Sequence, residues 1–178
     1  MDAPGLFQGV KAALDHVNWR ARYWTHHQYG SEKYWSMQVF QALEGVIHKQ
    51  AWGDTRIAGG VSAKNDSEWL YDLSVYKFDN HFYTDVCLTC ECEWSYNWSD
   101  LADDFLKLCQ AKSPIKIFIF GVALRSDAGP IFDALDAQAQ YFEIPNFTEH
   151  FLLACWNQGP TLDENGFQYR DLKIGACP

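Results

Sequence analysis

The sequence predicts an α/β fold in which helices flank a mixed central β-sheet. Helical and strand-like patterns follow one another in the order two helices, a strand-rich middle, a helix, a strand, a helix and two strands. The apolar run at residues 115–121 is of the kind that is buried in such a sheet. With 178 residues, 48% of them hydrophobic, the chain is long and apolar enough for its own core. We therefore expect a single domain over residues 1–178.

Four helices are predicted from apolar residues that recur every three or four positions. The first covers residues 6–27, and the second covers residues 31–50 with Ser31 as its N-cap. The third, at residues 100–111, follows a loop rich in Ser, Asn and Asp, and the fourth covers residues 129–141. The first, second and fourth helices each show an apolar stripe, which is expected to face the interior.

Strands are predicted where apolar runs are bounded by turn residues. A turn at Asp79-Asn80 joins two of them, whereas Gly53 and Gly59-Gly60 are expected in loops or hairpin turns. The five expected strands lie at residues 68–78, 82–94, 115–121, 147–157 and 167–174.

The strand at residues 82–94 carries two acidic side chains on one face. Because successive side chains of a strand point to opposite sides, Glu91 and Glu93 should share a face with Cys87 and Thr89. Two like charges so close together need a cation, a proton or full solvation, and an edge strand would supply the last of these. The opposite face is expected to hold Val86, Leu88, Cys90, Cys92 and Trp94.

The spacing Cys87-x-x-Cys90-x-Cys92 is similar to that of a zinc knuckle. Strand alternation, however, turns Cys87 away from Cys90 and Cys92, and no second Cys/His pair lies at finger spacing. We therefore expect these side chains to be small buried hydrophobes. The N-terminus lacks the pattern of a secretory signal, so we expect a cytoplasmic protein with reduced thiols.

Bulk composition excludes some classes of function. No apolar run approaches the ~20 residues that a membrane helix needs, so no membrane partner is expected. The formal net charge of -9 argues against a general nucleic-acid coat protein, because phosphate contacts require clustered Lys and Arg. A negative net charge is nevertheless compatible with a nuclease in which a metal ion bridges acidic side chains and phosphate.

An acidic residue on the preceding strand completes a candidate site. If the strands at 68–78 and 82–94 pair, Asp72 and Glu91 can converge at one end of the sheet. An acid on one strand and an acid-x-polar triplet on the next is typical of metal-dependent phosphodiester cleavage. Carboxylates bind Mg²⁺, or Mn²⁺, through oxygen and leave positions open for water and phosphate.

These residues resemble the PD-(D/E)XK nuclease superfamily, which has the restriction-endonuclease-like fold. Asp72 followed by Glu91-Cys92-Glu93, with a helix before and after, carries the resemblance. The Glu-x-Glu-Trp strand and the Asp-Phe-x-Lys-Leu helix, residues 104–108, are similar to a little-characterised bacterial branch. The resemblance covers about residues 66–122. It implies a nuclease-like core at about 31–122, with an N-terminal helix and a C-terminal strand extension.

The resemblance also implies roles for individual residues. Asp72, Glu91 and Glu93 would bind the metal ion, and Glu44 on the first core helix would be a further ligand. Where the superfamily usually carries lysine, this chain has Glu93. Some members carry Glu there, and in others the lysine has moved to the following helix, which makes Lys107 the candidate. Its ammonium would orient the attacking water or stabilise leaving charge.

Each of these residues also has a purely structural interpretation. Lys107 can be a solvated helix lysine that pairs with Asp103 or Asp104. Glu44 can be an exposed residue on a helix flank, and Asp72 a strand-end carboxylate. Glu91 and Glu93 can belong to a solvated strand face.

A second function remains open from the sequence. A catalytically inactive nuclease-fold protein could bind a protein partner, for example as an immunity-type module, because acidic chains block basic nucleic-acid enzymes. Homodimerisation through an aromatic face is also compatible with the sequence. The large apolar surface for either comes from Trp52, Trp69, Trp94, Trp98 and Trp156.

Overall fold

The computed structural model contains one six-stranded mixed sheet with two helices on each face. It describes residues 2–21, 32–50, 52–61, 70–80, 82–95, 97–122, 127–142, 144, 147–157 and 166–175, without the side chains of 18–21 and 32–34. The helices are α1 Ala3–Ala21, α2 Glu32–Ile47, α3 Trp98–Gln110 and α4 Ala128–Tyr141. The strands are β1 Thr55–Gly59, β2 Leu73–Asp79, β3 Phe82–Glu93, β4 Ile115–Val122, β5 Glu149–Asn157 and β6 Gly166–Ile174. The predicted α/β fold is confirmed.

The strands lie in the sheet in chain order, from β1 to β6. The three central strands β3, β4 and β5 are parallel, and every other neighbouring pair is antiparallel. Parallel neighbours need a crossover connection, and α3 and α4 supply the two crossovers. The central strand β4 is buried at all its positions, as its continuous apolar sequence predicts.

Two hydrophobic clusters hold the layers together. One cluster joins α1 and α2 to one face of the sheet, here called the α1/α2 face, and includes Leu43, Leu88 and Ile117. The other joins α3 and α4 to the opposite face, the α3/α4 face, and includes Phe105 and Phe118. The helix α3 begins at an N-cap, where the Asn97 side chain accepts the Ser99 N–H, and places its apolar stripe on the sheet.

Several element boundaries differ from the prediction. The strand β2 begins at Leu73 rather than at residue 68, so Asp72 immediately precedes the strand, and residues 62–69 lie outside the described chain. The helix α1 begins at Ala3, and α2 ends at Ile47 rather than at residue 50. The predicted helical residues 22–27 and the proposed cap Ser31 fall outside the described residues.

A short strand occupies a segment where only loops or turns were predicted. The strand β1, Thr55–Gly59, pairs with β2 from Thr55↔Lys77 to Gly59↔Leu73. Its five residues have little apolar pattern of their own, and the hydrogen bonds to β2 define the strand. Gly59 stands at its end, where the backbone turns with φ of 78°.

The predicted alternation of β3 is wrong at Cys87. Val75 pairs with Leu88 but Tyr76 pairs with Val86, so Cys87 is an extra residue in a bulge. Cys87 therefore packs into the α1/α2-face cluster together with Leu88 instead of facing the other way. The cysteines within the described chain are free and largely buried, as expected for small hydrophobes, and Cys177 falls outside it.

None of the helices described here is both long and apolar enough to cross a membrane.

Candidate functional site

The antiparallel pairing of β2 and β3 brings Asp72 and Glu91 together. Leu73 pairs with Cys90, and this register places the preceding residue, Asp72, opposite Glu91. Asp72 Oδ2 accepts the backbone N–H of Cys92 at 2.8 Å, which orients its carboxylate along the end of β3. Hydrogen bonds from N–H groups favour a charged carboxylate. The register thus puts Asp72 and Glu91 at the same end of the β2–β3 pair.

Glu91 is buried in the middle of the sheet. It lies on a central strand, pairs with Phe118 of β4 and is only 2% exposed. A solvated edge-strand position is therefore excluded for Glu91. A buried carboxylate is costly unless it meets a cation, a proton or hydrogen-bond donors, so its surroundings determine what it can do.

Lys107 of α3 is a cation that feels the negative charge of these two acids. It forms an ion pair with Asp104 at 2.5 Å, and its side chain is 46% exposed. Partial burial disfavours the charged form, but the hydrogen bond to Asp104 and the negative charges of Glu91, Asp104 and Asp72 outweigh it and raise the pKa of Lys107. Lys107 therefore remains protonated near neutral pH and can stabilise negative charge, but it is a poor base.

Glu93 faces Asp104 and the loop that follows β3. One of its oxygens accepts the backbone N–H of Ser95. Burial raises the pKa of Glu93, and so do a hydrogen bond that protonated Glu93 can donate to Asp104 and repulsion by Asp104 and Asp100, against the opposite effect of the Ser95 N–H. The structure thus links Glu93 to Asp104 and, through Asp104, to Lys107.

Asp104 is the residue whose importance the sequence reasoning underestimated. The sequence suggested it only as an ion-pair partner of Lys107, three positions along the helix. In the fold, Asp104 also meets Glu93, so it connects the helix to the acidic strand. Its place in the Asp-Phe-x-Lys-Leu segment, on the same side of α3 as Lys107, is the signal that could have identified it.

Tyr71 lies beside the two acids. It is half-buried against the α3/α4-face cluster. Burial raises the pKa of Tyr71, and repulsion by Tyr76 and Glu91 raises it further, so the hydroxyl stays neutral and can donate a hydrogen bond.

Glu44 is buried rather than exposed on a helix flank. It is 6% exposed, and its Oε1 accepts the backbone N–H of Val61 at 2.7 Å. The neighbouring Gly60 N–H donates to the carbonyl oxygen of Asp72 at 2.8 Å. The turn at residues 59–61 therefore connects Glu44 to the backbone of Asp72.

The four carboxylates that the resemblance implies as ligands, Asp72, Glu91, Glu93 and Glu44, are not brought together into one metal-binding group. Within the described ranges, no group of three or more His, Cys, Asp or Glu residues is placed to hold a metal ion. Mg²⁺ usually keeps several waters and takes one or two carboxylates together with substrate phosphates. Asp72, oriented by Cys92 N–H, and the buried Glu91 are the two carboxylates that would hold such an ion.

Comparison with family models, with curated proteins and with solved structures finds no match to this chain. The PD-(D/E)XK resemblance and the cytoplasmic location thus stay predictions.

Proposed function

We propose that this protein is a metal-dependent phosphodiesterase that acts on nucleic acid. The observation that supports the proposal is the β2–β3 register, which puts Asp72 opposite the buried Glu91, and the negative charges of both residues raise the pKa of Lys107 on the following helix. The order of helix, acidic strand pair and lysine-bearing helix is what the resemblance to the PD-(D/E)XK superfamily leads one to expect.

Each residue has a specific role in this proposal. Asp72 and Glu91 hold Mg²⁺ or Mn²⁺, which when bound polarises the phosphoryl group and lowers the pKa of an attacking water. Lys107 stays charged and stabilises the negative charge that develops on the phosphate. Glu93 does not replace the usual lysine chemically; it holds Asp104, which in turn orients Lys107.

A cleavage assay tests the proposal. Purified protein is incubated with single-stranded and double-stranded DNA and RNA, with Mg²⁺, Mn²⁺ or EDTA. We expect cleavage that EDTA abolishes and that Asp72→Asn and Glu91→Gln each reduce by at least ~10²-fold, the scale of one lost electrostatic group in an active site. Asp85→Asn is the matched control, because Asp85 is an exposed acid on the same strand. Activity that survives Glu91→Gln would overturn the assignment.

A protein-binding module is the second candidate. The β2–β3 hairpin exposes large apolar side chains, with Phe82 72% and Tyr83 54% exposed. Such a surface suits a partner or a second copy of the chain. Light scattering on wild type and Phe82→Ser tests the homodimer. This candidate would be favoured over the first if wild type is a dimer, Phe82→Ser is a monomer, and the protein neither binds Mn²⁺ nor cleaves nucleic acid.

A further inference from the structure

Glu44 makes a contact that a metal ligand would not need. Its carboxylate is 6% exposed and accepts the Val61 N–H at 2.7 Å. This hydrogen bond connects α2 to the turn that follows β1, so it joins two segments that are distant in the sequence. A charge-assisted hydrogen bond to a backbone amide is about twice as strong as a neutral one.

Two oxygen atoms lie close to the backbone of the turn, one from the Glu44 carboxylate and one from the Asp72 carbonyl group. Gly59 and Gly60 have φ of 78° and 64°, a region that glycine adopts readily. A Cβ on Gly60 would lie 2.5 Å from Glu44 Oε1, and a Cβ on Gly59 would lie 2.1 Å from the Asp72 carbonyl oxygen. Gly59 therefore leaves no space for a Cβ against the Asp72 backbone, whereas a side chain at Gly60 would need the unfavourable positive φ and would displace the Glu44 carboxylate.

Asp72 is held from two sides. The Gly60 N–H donates to its carbonyl oxygen at 2.8 Å, and its carboxylate accepts the Cys92 N–H, also at 2.8 Å. The first contact depends on the turn, and the turn is tied to α2 by Glu44. A loosened turn would release the backbone of Asp72 and leave its carboxylate poorly oriented toward Glu91.

From these contacts we infer that Glu44 is a positioning residue, which fixes Asp72 through the turn at residues 59–61 and does not itself bind the ion. The functional part of this inference rests on the proposed metal site. The structural link from Glu44 to the backbone of Asp72 does not depend on any metal.

Two substitutions at Glu44 separate positioning from ligation. Glu44→Gln keeps an oxygen that can accept the Val61 N–H but removes the charge, whereas Glu44→Leu removes the acceptor. Amide hydrogen exchange without metal should show protection at Val61 and Gly60 reduced by at least ~10-fold in Glu44→Leu, the effect of losing one hydrogen bond to a charged group. In Glu44→Gln, whose neutral oxygen makes a weaker hydrogen bond, protection should fall by no more than ~5-fold. Gln41→Leu, an exposed change one turn earlier on α2, is the control.

Gly60→Ala gives a second route to the same result if Glu44→Leu does not fold. Its Cβ would displace the Glu44 carboxylate, so protection at Val61 should fall as well. A loss at Val61 that leaves Gly60 fully protected would overturn the inference, because the turn would then not transmit the contact to Asp72.

Mn²⁺ titration supplies the functional readout. We expect Glu44→Gln to bind Mn²⁺ within ~3-fold of wild type and Glu44→Leu to bind it at least ~10-fold more weakly, the scale of a lost supporting contact at a metal site. If Glu44→Gln loses as much affinity as Glu91→Gln, Glu44 is a ligand and the inference is wrong. If wild type binds no Mn²⁺, the proposed function fails, and the exchange experiment still decides whether Glu44 holds Asp72.

Discussion

Burial sets the chemistry of single side chains in this protein, and the cysteines illustrate it most directly. Burial raises the pKa of Cys109 to about 12, although Lys116 lowers it, and raises the pKa of Cys155 to about 12 with a further contribution from Asp127. Burial also raises the pKa values of Cys90 and Cys92 well above the usual range, with Asp72 among the charges that add to it. Side chains in this state pack as hydrophobes and are poor nucleophiles.

These pKa shifts make thiol reactivity a test at the residue scale. A thiol with a pKa of about 12 is ionised to only about one part in 10⁴ at pH 8. In a Cys177→Ser background, we expect native protein to react with a thiol reagent far more slowly than unfolded protein, with a rate that rises as the pH increases. Mass spectrometry identifies the modified positions. Rapid labelling of Cys109 or Cys155 in the native state would contradict the burial described here.

Sequence reasoning at this scale succeeded where a pattern is local. Strand alternation predicted that Glu91 and Thr89 face away from Leu88 and Cys90. In the structure, Leu88 and Cys90 belong to the α1/α2-face cluster, whereas Glu91 pairs with Phe118 of the α3/α4-face cluster. It failed at Cys87, because the bulge there depends on how β3 pairs with β2. It also missed the contact between Glu93 and Asp104, since no local pattern predicts which carboxylates meet across an interface.

At the scale of the elements, a buried polar network attaches α3 to the amino-terminal end of β4. Lys116 and Glu149 are 0% and 1% exposed and form an ion pair on neighbouring strands. Lys116 Nζ also donates to the carbonyl oxygen of Cys109, in the last turn of α3, at 3.4 Å and lies 4.9 Å from the centre of the Phe151 ring. Burial lowers the pKa of Lys116, whereas Glu149 opposes that change. The pair thus ties together α3, β4 and β5.

A double-mutant cycle tests this pair. Lys116→Met leaves the Glu149 carboxylate buried without its partner, and we expect it to lower the free energy of unfolding by about 3–5 kcal/mol. The double variant Lys116→Met/Glu149→Leu removes both charges and should recover most of that loss. Urea denaturation provides the measurement. If the double variant is as unstable as the sum of the two single variants, the two side chains do not interact as described.

Lys77→Met is the control for that cycle. Lys77 pairs with Asp85 at 3.6 Å, but both side chains are half exposed. Exposed ion pairs contribute about 0–1 kcal/mol, so this change should hardly alter stability.

Elements with a strong pattern of their own were predictable. The apolar run of β4 and the stripe of α3 identified their elements to within two residues. The short strand β1 was not, because its five residues become a strand only through pairing with β2. The start of β2 at Leu73 likewise follows from its pairing partners and not from its apolar sequence.

The whole molecule combines a predictable architecture with an order of strands that the sequence does not specify. Helices on both faces of a mixed sheet were expected from the order of elements, whereas the strand order β1 to β6 depends on contacts between distant segments. Asp72 immediately precedes β2, Glu91 lies on β3 and Lys107 lies on α3, so any site that they share depends on how these segments pack in the fold.

Net charge leads to a prediction at this scale. The chain carries a formal charge of -9, so it should repel nucleic acid when no divalent ion is present. In a gel-shift experiment at low salt, we expect no retardation in EDTA, retardation with Mg²⁺ or Ca²⁺, and loss of that retardation in Glu91→Gln. Retardation that persists in EDTA would indicate a cationic binding surface instead of a metal-bridged one.

Mn²⁺ binding, followed by electron paramagnetic resonance on initially metal-free protein, shows whether Asp72 and Glu91 form a metal site. We expect one bound ion in wild type, affinity that falls at least ~10-fold in both Asp72→Asn and Glu91→Gln, and unchanged affinity in Asp85→Asn. Wild type that binds no ion, or Glu91→Gln that binds it as tightly as wild type, would contradict a metal site formed by Asp72 and Glu91.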